Sequence, residues 1–180
     1  MESNPLVFII RTLGELYIFI LLLRFLLQVV KADYYNPICQ GVVSATKPVL
    51  APLQKILPKI LNIDISPLVF AFVAKAIVLY VAYAIGNQII PLPMLSVYAS
   101  LGVLNTFLDV IFYAMVGSII ISWIAPDSPH PAPQLIMQVT APIYKLVNKV
   151  LPPLGGFDLS PIVVILSIQL IQYQMRLFII

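Results

Sequence analysis

Apolar residues gather into four long runs, roughly Pro5 to Val30, Pro67 to Ile90, Leu101 to Ala125 and Pro161 to Ile180. A helix needs about 20 mostly apolar residues to cross a bilayer, so each run predicts one spanning helix. The long connections carry a different pattern. From Lys47 to Leu61, steps of about 100° put Val49, Leu50, Leu53, Ile56, Leu57, Ile60 and Leu61 on one side, with Lys47, Gln54, Lys55 and Lys59 opposite. The later connection sets Ile143, Tyr144, Val147, Val150 and Leu151 against Lys145, Asn148 and Lys149. Both read as amphipathic helices lying in the membrane interface. Pro48, Pro52 and Pro58, and then Pro142, Pro152 and Pro153, do not fit one unbroken helix, which predicts short pieces broken near the prolines.

The two connections are copies. Residues Asn36 to Pro67 lie over His130 to Pro161 without a gap at a constant offset of 94, matching Thr46 with Thr140, Pro48 with Pro142, and Asp64, Ser66 and Pro67 with Asp158, Ser160 and Pro161. The chain therefore divides into two tandem repeats, 1–90 and 95–180, each with two spans. Ser66-Pro67 and Ser160-Pro161 predict a helix start with a hydroxyl at the N-cap and proline at N1. Asp64 and Asp158 add negative charge beside the positive helix end. On this reading these residues serve helix initiation.

Composition agrees with a membrane solvent. Hydrophobic residues make up 61% and charged residues 9%, where a soluble domain carries about a quarter charged. The first apolar run differs from a secretory signal, with Glu2 at its head, Arg11, Glu15 and Arg24 inside it and no small-residue cleavage motif. One cysteine, Cys39, and one histidine, His130, argue against metal or redox chemistry, and no cofactor is expected. The net charge of +3 is too small and dispersed for nucleic acid. Lys31, Lys47, Lys55, Lys59, Lys145 and Lys149 all fall in the long connections, whereas Asn87 to Ser100 is uncharged, which predicts cytoplasmic connections and outward termini. Trp123, Tyr34 and Tyr98 fit interfacial aromatic belts.

The motifs resemble the YggT family of bacterial inner-membrane proteins in a two-repeat form. The first half carries Glu15-Leu16-Tyr17, Leu21-Leu22-Leu23-Arg24, Tyr35-Asn36-Pro37, Thr46-Lys47-Pro48, Pro58 and Asp64-x-Ser66-Pro67. The second carries Ser122-Trp123-Ile124, Thr140-Ala141-Pro142, Pro152 and Gly155-Gly156-Phe157-Asp158-Leu159-Ser160-Pro161. The first half departs from the pattern with Leu61-Asn62-Ile63 in place of the glycines. The resemblance implies a non-enzymatic inner-membrane protein linked variously to osmotic or ion tolerance, cell division and nucleoid distribution, and cofactor assembly in plastid relatives.

Charges inside the spans carry the candidate chemistry. The offset pairs Glu15 with Asp109, and at about 1.5 Å per residue Glu15, Asp109 and Lys75 lie about 15, 12 and 18 Å from the outer ends. A charged side chain at depth costs about 2.5–3.5 kcal/mol, so the three are expected to meet near the midplane, either as a neutralised structural cluster or as a cation or proton path. Arg24 faces away from Glu15 and is expected to reach phosphates or to hold the first connection. The repeat counterparts of Arg24 and Lys75 are Ser118 and Gln169, and Gln169, Gln172, Gln174 and Arg176 predict a last helix that packs inside a bundle or on a partner. Candidate contacts to lipid or a partner are Arg24, Lys47, Lys55, Lys59, Lys145 and Lys149. Ser66 and Ser160 have no base beside them and are not nucleophiles. Two functions follow. The first is an envelope component that binds lipid and a protein partner, or its own copies, and organises or assists other membrane components. The alternative is a small oligomeric ion or proton transporter.

Overall fold

Proline directly after a capping side chain sets the start of several helices. Asn4 Oδ1 accepts the Leu6 amide at 3.0 Å, Asn36 Oδ1 accepts that of Ile38 at 2.9 Å, and His130 Nδ1 accepts that of Ala132 at 3.3 Å. Each cap precedes Pro5, Pro37 or Pro131, whose missing amide hydrogen is not needed in a first turn. The structure, a computed structural model, describes residues 4–151 and 158–179. It contains α1 (Pro5–Val29), α2 (Pro37–Gln54), β1 (Lys59–Ile60), β2 (Ile63–Asp64), α3 (Ser66–Ile85), α4 (Leu92–Ile124), α5 (Pro131–Val147) and α6 (Ser160–Ile179).

Helices α1, α3, α4 and α6 are long and apolar enough to cross a membrane, so the protein is an all-α integral membrane protein of four spans in two tandem repeats. Helix α4 begins nine residues before the expected Leu101. Pro91 occupies the cap and Pro93 the first turn, where proline is tolerated, so the helix reaches back beyond the apolar run. Helix α3 ends at Ile85 rather than Ile90, in a turn where Gln88 N–H bonds Tyr83 C=O at 3.0 Å and Asn87 takes a left-handed φ of 53°. Helix α1 closes in the same way, with Ala32 N–H on Leu27 C=O at 2.9 Å and Lys31 at φ 54°.

The connections depart from the expected short pieces. Helix α2 runs through Pro48 and Pro52, and α5 through Pro142. All three prolines are exposed, so the carbonyls that lose helical donors lie on the accessible side. The first helix stops at Gln54, and Ile56 to Leu61 do not continue the expected apolar face. Instead β1 pairs antiparallel with β2, Lys59 opposite Asp64, around Leu61 (φ 51°) and Asn62 (φ 65°). Two successive positive φ angles define a type I′ turn. By the repeat offset these residues align with Gly155 and Gly156, for which positive φ carries no Cβ penalty. Those glycines, with Phe157, Pro152 and Pro153, lie outside the described residues.

The core is built on α1. Ile18, Leu21, Leu22, Leu26 and Leu27 are buried against Ala71 of α3, Val103 and Val110 of α4, Leu50 of α2, and Leu135 and Val139 of α5. Within each repeat the two spans pack together: α1 on α3, and α4 on α6. Across repeats α3 also packs on α4, whereas α6 makes no comparably extensive contact with α1. The two connections are clasped together, with Asn36 Nδ2 donating to Pro131 C=O at 2.8 Å at the helix starts and Asp33 N–H, just before α2, donating to Gln138 Oε1 in the middle of α5 at 2.9 Å.

Replacing Leu61 and Asn62 by Asn and Gly supplies the residues that this turn demands. Relief of a left-handed leucine, about 1 kcal/mol, should slow amide exchange across Lys59 to Asp64 by about fivefold. Unchanged exchange would refute the assigned turn.

Candidate functional site

Helices α1, α3 and α4 bring one acid and one base together inside the membrane. Lys75 Nζ of α3 forms an ion pair and hydrogen bond with Glu15 Oε1 of α1. The single hydroxyl proton of Thr106 Oγ1 on α4 is shared between Gly102 C=O at 3.0 Å and Glu15 Oε2 at 3.3 Å. The lysine stem reaches this point across Gly102, where a Cβ would come within 2.2 Å of Lys75 Cε. Gly14 does the same one turn away, since a Cβ there would meet Val78 Cγ2 at 2.4 Å. Small residues let the backbones approach closely enough for the pair to form.

Asp109 does not join this pair. Gln172 Nε2 of α6 donates to Asp109 Oδ1 at 2.7 Å, and Asn105 Nδ2 donates to Oδ2 at 3.2 Å, one helical turn back. Each repeat thus supplies its acid with a donor from its own second span, a cation in the first half and an amide in the second. The residue that does this is Gln172, not Gln169, the counterpart of Lys75 by offset. Gln169 is exposed, as is Gln174, so only part of the polar character of α6 turns inward. Thr106 and Asn105 were not anticipated. The available signal was Thr12, which aligns with Thr106 and precedes Glu15 by three residues as Thr106 precedes Asp109.

Two cavities flank the ion pair. One, of about 630 Å³, opens between α1 and α4 and is lined by Thr12, Glu15, Leu16, Phe19, Lys75, Asn105, Thr106, Asp109 and Tyr113. The other, of about 410 Å³, contains Arg11, Glu15, Lys75, Tyr83, Tyr98, Asn105 and Arg176.

Arg24 binds its own repeat's connecting helix. Its Nη1 donates to Val43 C=O at 3.2 Å and to Thr46 Oγ1 at 2.6 Å. A cavity of about 680 Å³ lies beside it, with Gln28, Lys31, Gln54, Lys59 and Asp64 among its walls. The equivalent cavity in the second repeat, about 730 Å³, is lined by Ser118, Ser122, Trp123, Tyr144 and Asp158. Ser118 and Tyr144 share a hydroxyl hydrogen bond of 2.7 Å, and burial raises the Tyr144 phenol despite that bond. Lys47, Lys55, Lys59, Lys145 and Lys149 are all exposed.

The helix-start motif works differently from the hydroxyl cap expected at Ser66 and Ser160. Ile65 already has helical angles, so the carboxylate two residues before each serine does the capping. Asp64 Oδ1 accepts Ser66 N–H at 2.9 Å, and Asp158 Oδ1 accepts Ser160 N–H at 2.8 Å. Ser66 Oγ is buried without a partner among the described residues, and Ser160 Oγ donates to Asn148 Oδ1 at 2.5 Å. Pro67 and Pro161 occupy the first turns of α3 and α6. Burial would raise both carboxyls, but hydrogen bonds from Ser66 and Gln54 to Asp64, and from Ser160 and Asn148 to Asp158, hold them below the usual range. Among the described residues no group of histidine, cysteine and carboxylate side chains is placed to hold a metal ion.

Four spans in two pseudo-equivalent hairpins, each with a partnered acid in its first helix, define a multi-pass membrane protein made by internal duplication. The CCB3/YggT family model matches it twice, over residues 3–85 and 97–179, and the chain belongs to that family. It is 44% identical over 175 residues to an uncharacterized protein of Pseudomonas aeruginosa, covering 94% of this chain and 87% of that one. A protein encoded in the proC 3′ region of Vibrio alginolyticus is 33% identical over 96% of this chain and 94% of its own length. The YggT protein of Escherichia coli K12 is 32% identical, with 94% and 88% covered. No solved structure matches the chain at a significant level.

Lys75→Met leaves Glu15 without its cation at a depth where a lone charge costs about 2.5–3.5 kcal/mol. The variant should unfold earlier in detergent melts, and Glu15→Gln added to it should restore most of the loss. A double variant as unstable as Lys75→Met would show that the pair is not what matters.

Proposed function

We propose that this chain is a non-enzymatic bacterial inner-membrane protein that organises or assists other envelope components, in osmotic or ion tolerance, division or membrane-protein assembly. It does so by offering the cleft between α1 and α4 to the membrane-embedded part of a protein, either another membrane protein or a second copy. The supporting observation is the chemistry of that cleft. Thr12, Glu15, Asn105 and Asp109 line it together, and the Glu15 side chain keeps 39% of its surface accessible despite its ion pair. Polar groups turned toward hydrocarbon lack hydrogen-bond partners, so such a cleft is stable when a polar helix covers it. The chain's own α6, which approximate symmetry would set against α1, packs on α4 and α5 instead.

A photo-crosslinking residue at Leu16 or Tyr113, on the rim, should capture a protein in native membranes, and one at Tyr80, exposed on α3 outside the cleft, should not. Capture of lipid alone at both rim positions would overturn the reading.

One observation favours conduction instead: the two cavities share Glu15, Lys75 and Asn105, as a gated path would. The pairing of Glu15 with Lys75, and the amide donors already engaged by Asp109, argue against it. Proteoliposomes of the wild-type chain should therefore show no proton or cation flux above empty vesicles. A flux abolished by Glu15→Gln with Asp109→Asn, at unchanged insertion, would establish transport and displace the scaffold role.

A further inference from the structure

The cavity beside Arg24 takes no part in the intramembrane clusters, and its charge is unbalanced. Arg24, Lys31 and Lys59 face one carboxylate, Asp64, whose oxygens already accept Ser66 N–H at 2.9 Å and Gln54 Nε2 at 2.6 Å. We propose that this cavity binds the phosphodiester headgroup of an anionic glycerophospholipid, with Arg24 at its base and Lys31 and Lys59 around the phosphate.

The arginine is prepared for such a ligand. Both hydrogens of Nη1 are used by Val43 C=O and Thr46 Oγ1, which fixes the guanidinium plane. Among the described residues Nε and Nη2 have no partner, and these adjacent donors form the fork that meets two phosphate oxygens at once. Depth favours a lipid over a soluble anion. Arg24 lies five residues before Val29, the end of α1, hence about 8 Å inside it, near the boundary of acyl chains and headgroups. Leu27, Val43 and Leu57 give the cavity apolar walls for the glycerol and first methylenes.

Two comparisons inside the chain indicate that the cations are additions to the frame. Lys31 sits in the left-handed helix-end turn that α3 closes with Asn87, a residue better suited to positive φ, so the backbone gives no reason for lysine there. In the second repeat's cavity the offset replaces Arg24 by Ser118 and Lys31 by Ala125, yet α5 packs on α4 as α2 packs on α1.

The test uses the full chain in mild detergent, titrated with phosphatidylglycerol or phosphatidylcholine of equal chain length and read by native mass spectrometry. Wild type should retain one phosphatidylglycerol in preference to phosphatidylcholine, and millimolar inorganic phosphate should not displace it. Lys31→Asn keeps the turn and removes the charge, and should weaken retention about fivefold, as should Lys59→Gln. Lys145→Gln, on the other repeat, should leave it unchanged. Equal retention of the two lipids, equal weakening by Lys145→Gln, or displacement by inorganic phosphate would overturn the proposal, the last by assigning the cavity to a soluble anion. Because lipid is read on the isolated chain, this outcome is independent of whether a protein covers the α1/α4 cleft.

Discussion

Bringing a carboxylate into the bilayer obliges the chain to bring a donor with it, and the position of α3 follows from that obligation. Lys75 can reach Glu15 only if α3 lies against α1, and its stem can pass only where α4 offers Gly102. The three helices are thereby fixed at one level, with Thr106 closing the second carboxylate oxygen. Apolar packing of Ile18, Leu21 and Leu22 supplies most of the contact area, yet between helices solvated by lipid such packing discriminates poorly among rotations and slides. An ion pair in a low-dielectric setting discriminates sharply, because a misplaced helix leaves both charges uncompensated.

The second repeat meets the same obligation with weaker means. Gln172 and Asn105 neutralise nothing and only donate hydrogen bonds to Asp109, so α6 is held to α4 without being drawn toward α1. The opening between α1 and α4 is where that difference appears in space. The helix that carries the cation bridges two spans, whereas the helix that carries the amide rests on one.

The spans, the duplication and the two acids could be read directly, because a run of about 20 apolar residues and an exact offset leave few alternatives. What escaped was set by local backbone chemistry or by small shifts along a helix axis. Helix α4 reaches back nine residues before its apolar run because Pro91 serves as its cap and Pro93 joins its first turn. Leu61-Asn62 bears no conventional turn signature, and its conformation was legible only from the glycines of the other copy. The partner of Asp109 lies three residues from the one that the offset nominates, close to one helical turn, so alignment finds the right face and the wrong level. Ser66 and Ser160 looked like caps, but with Ile65 already helical the carboxylates before them were better placed.

The clasp between the connecting helices has a consequence for how such a protein can be assembled at all. Asn36 caps its own helix through Oδ1 and donates to Pro131 C=O through Nδ2, whereas the side chain of His130, the residue aligned with it, makes only its own cap among the described residues. A contact of this kind is made once and in one direction, which two identical chains meeting about a two-fold axis would not select over its mirror. Joining both copies in one polypeptide settles their stoichiometry and order at synthesis. Each half is then free to lose what the other retains, and complementarity that separate subunits would have to enforce by rejecting wrong pairings is built into the connectivity.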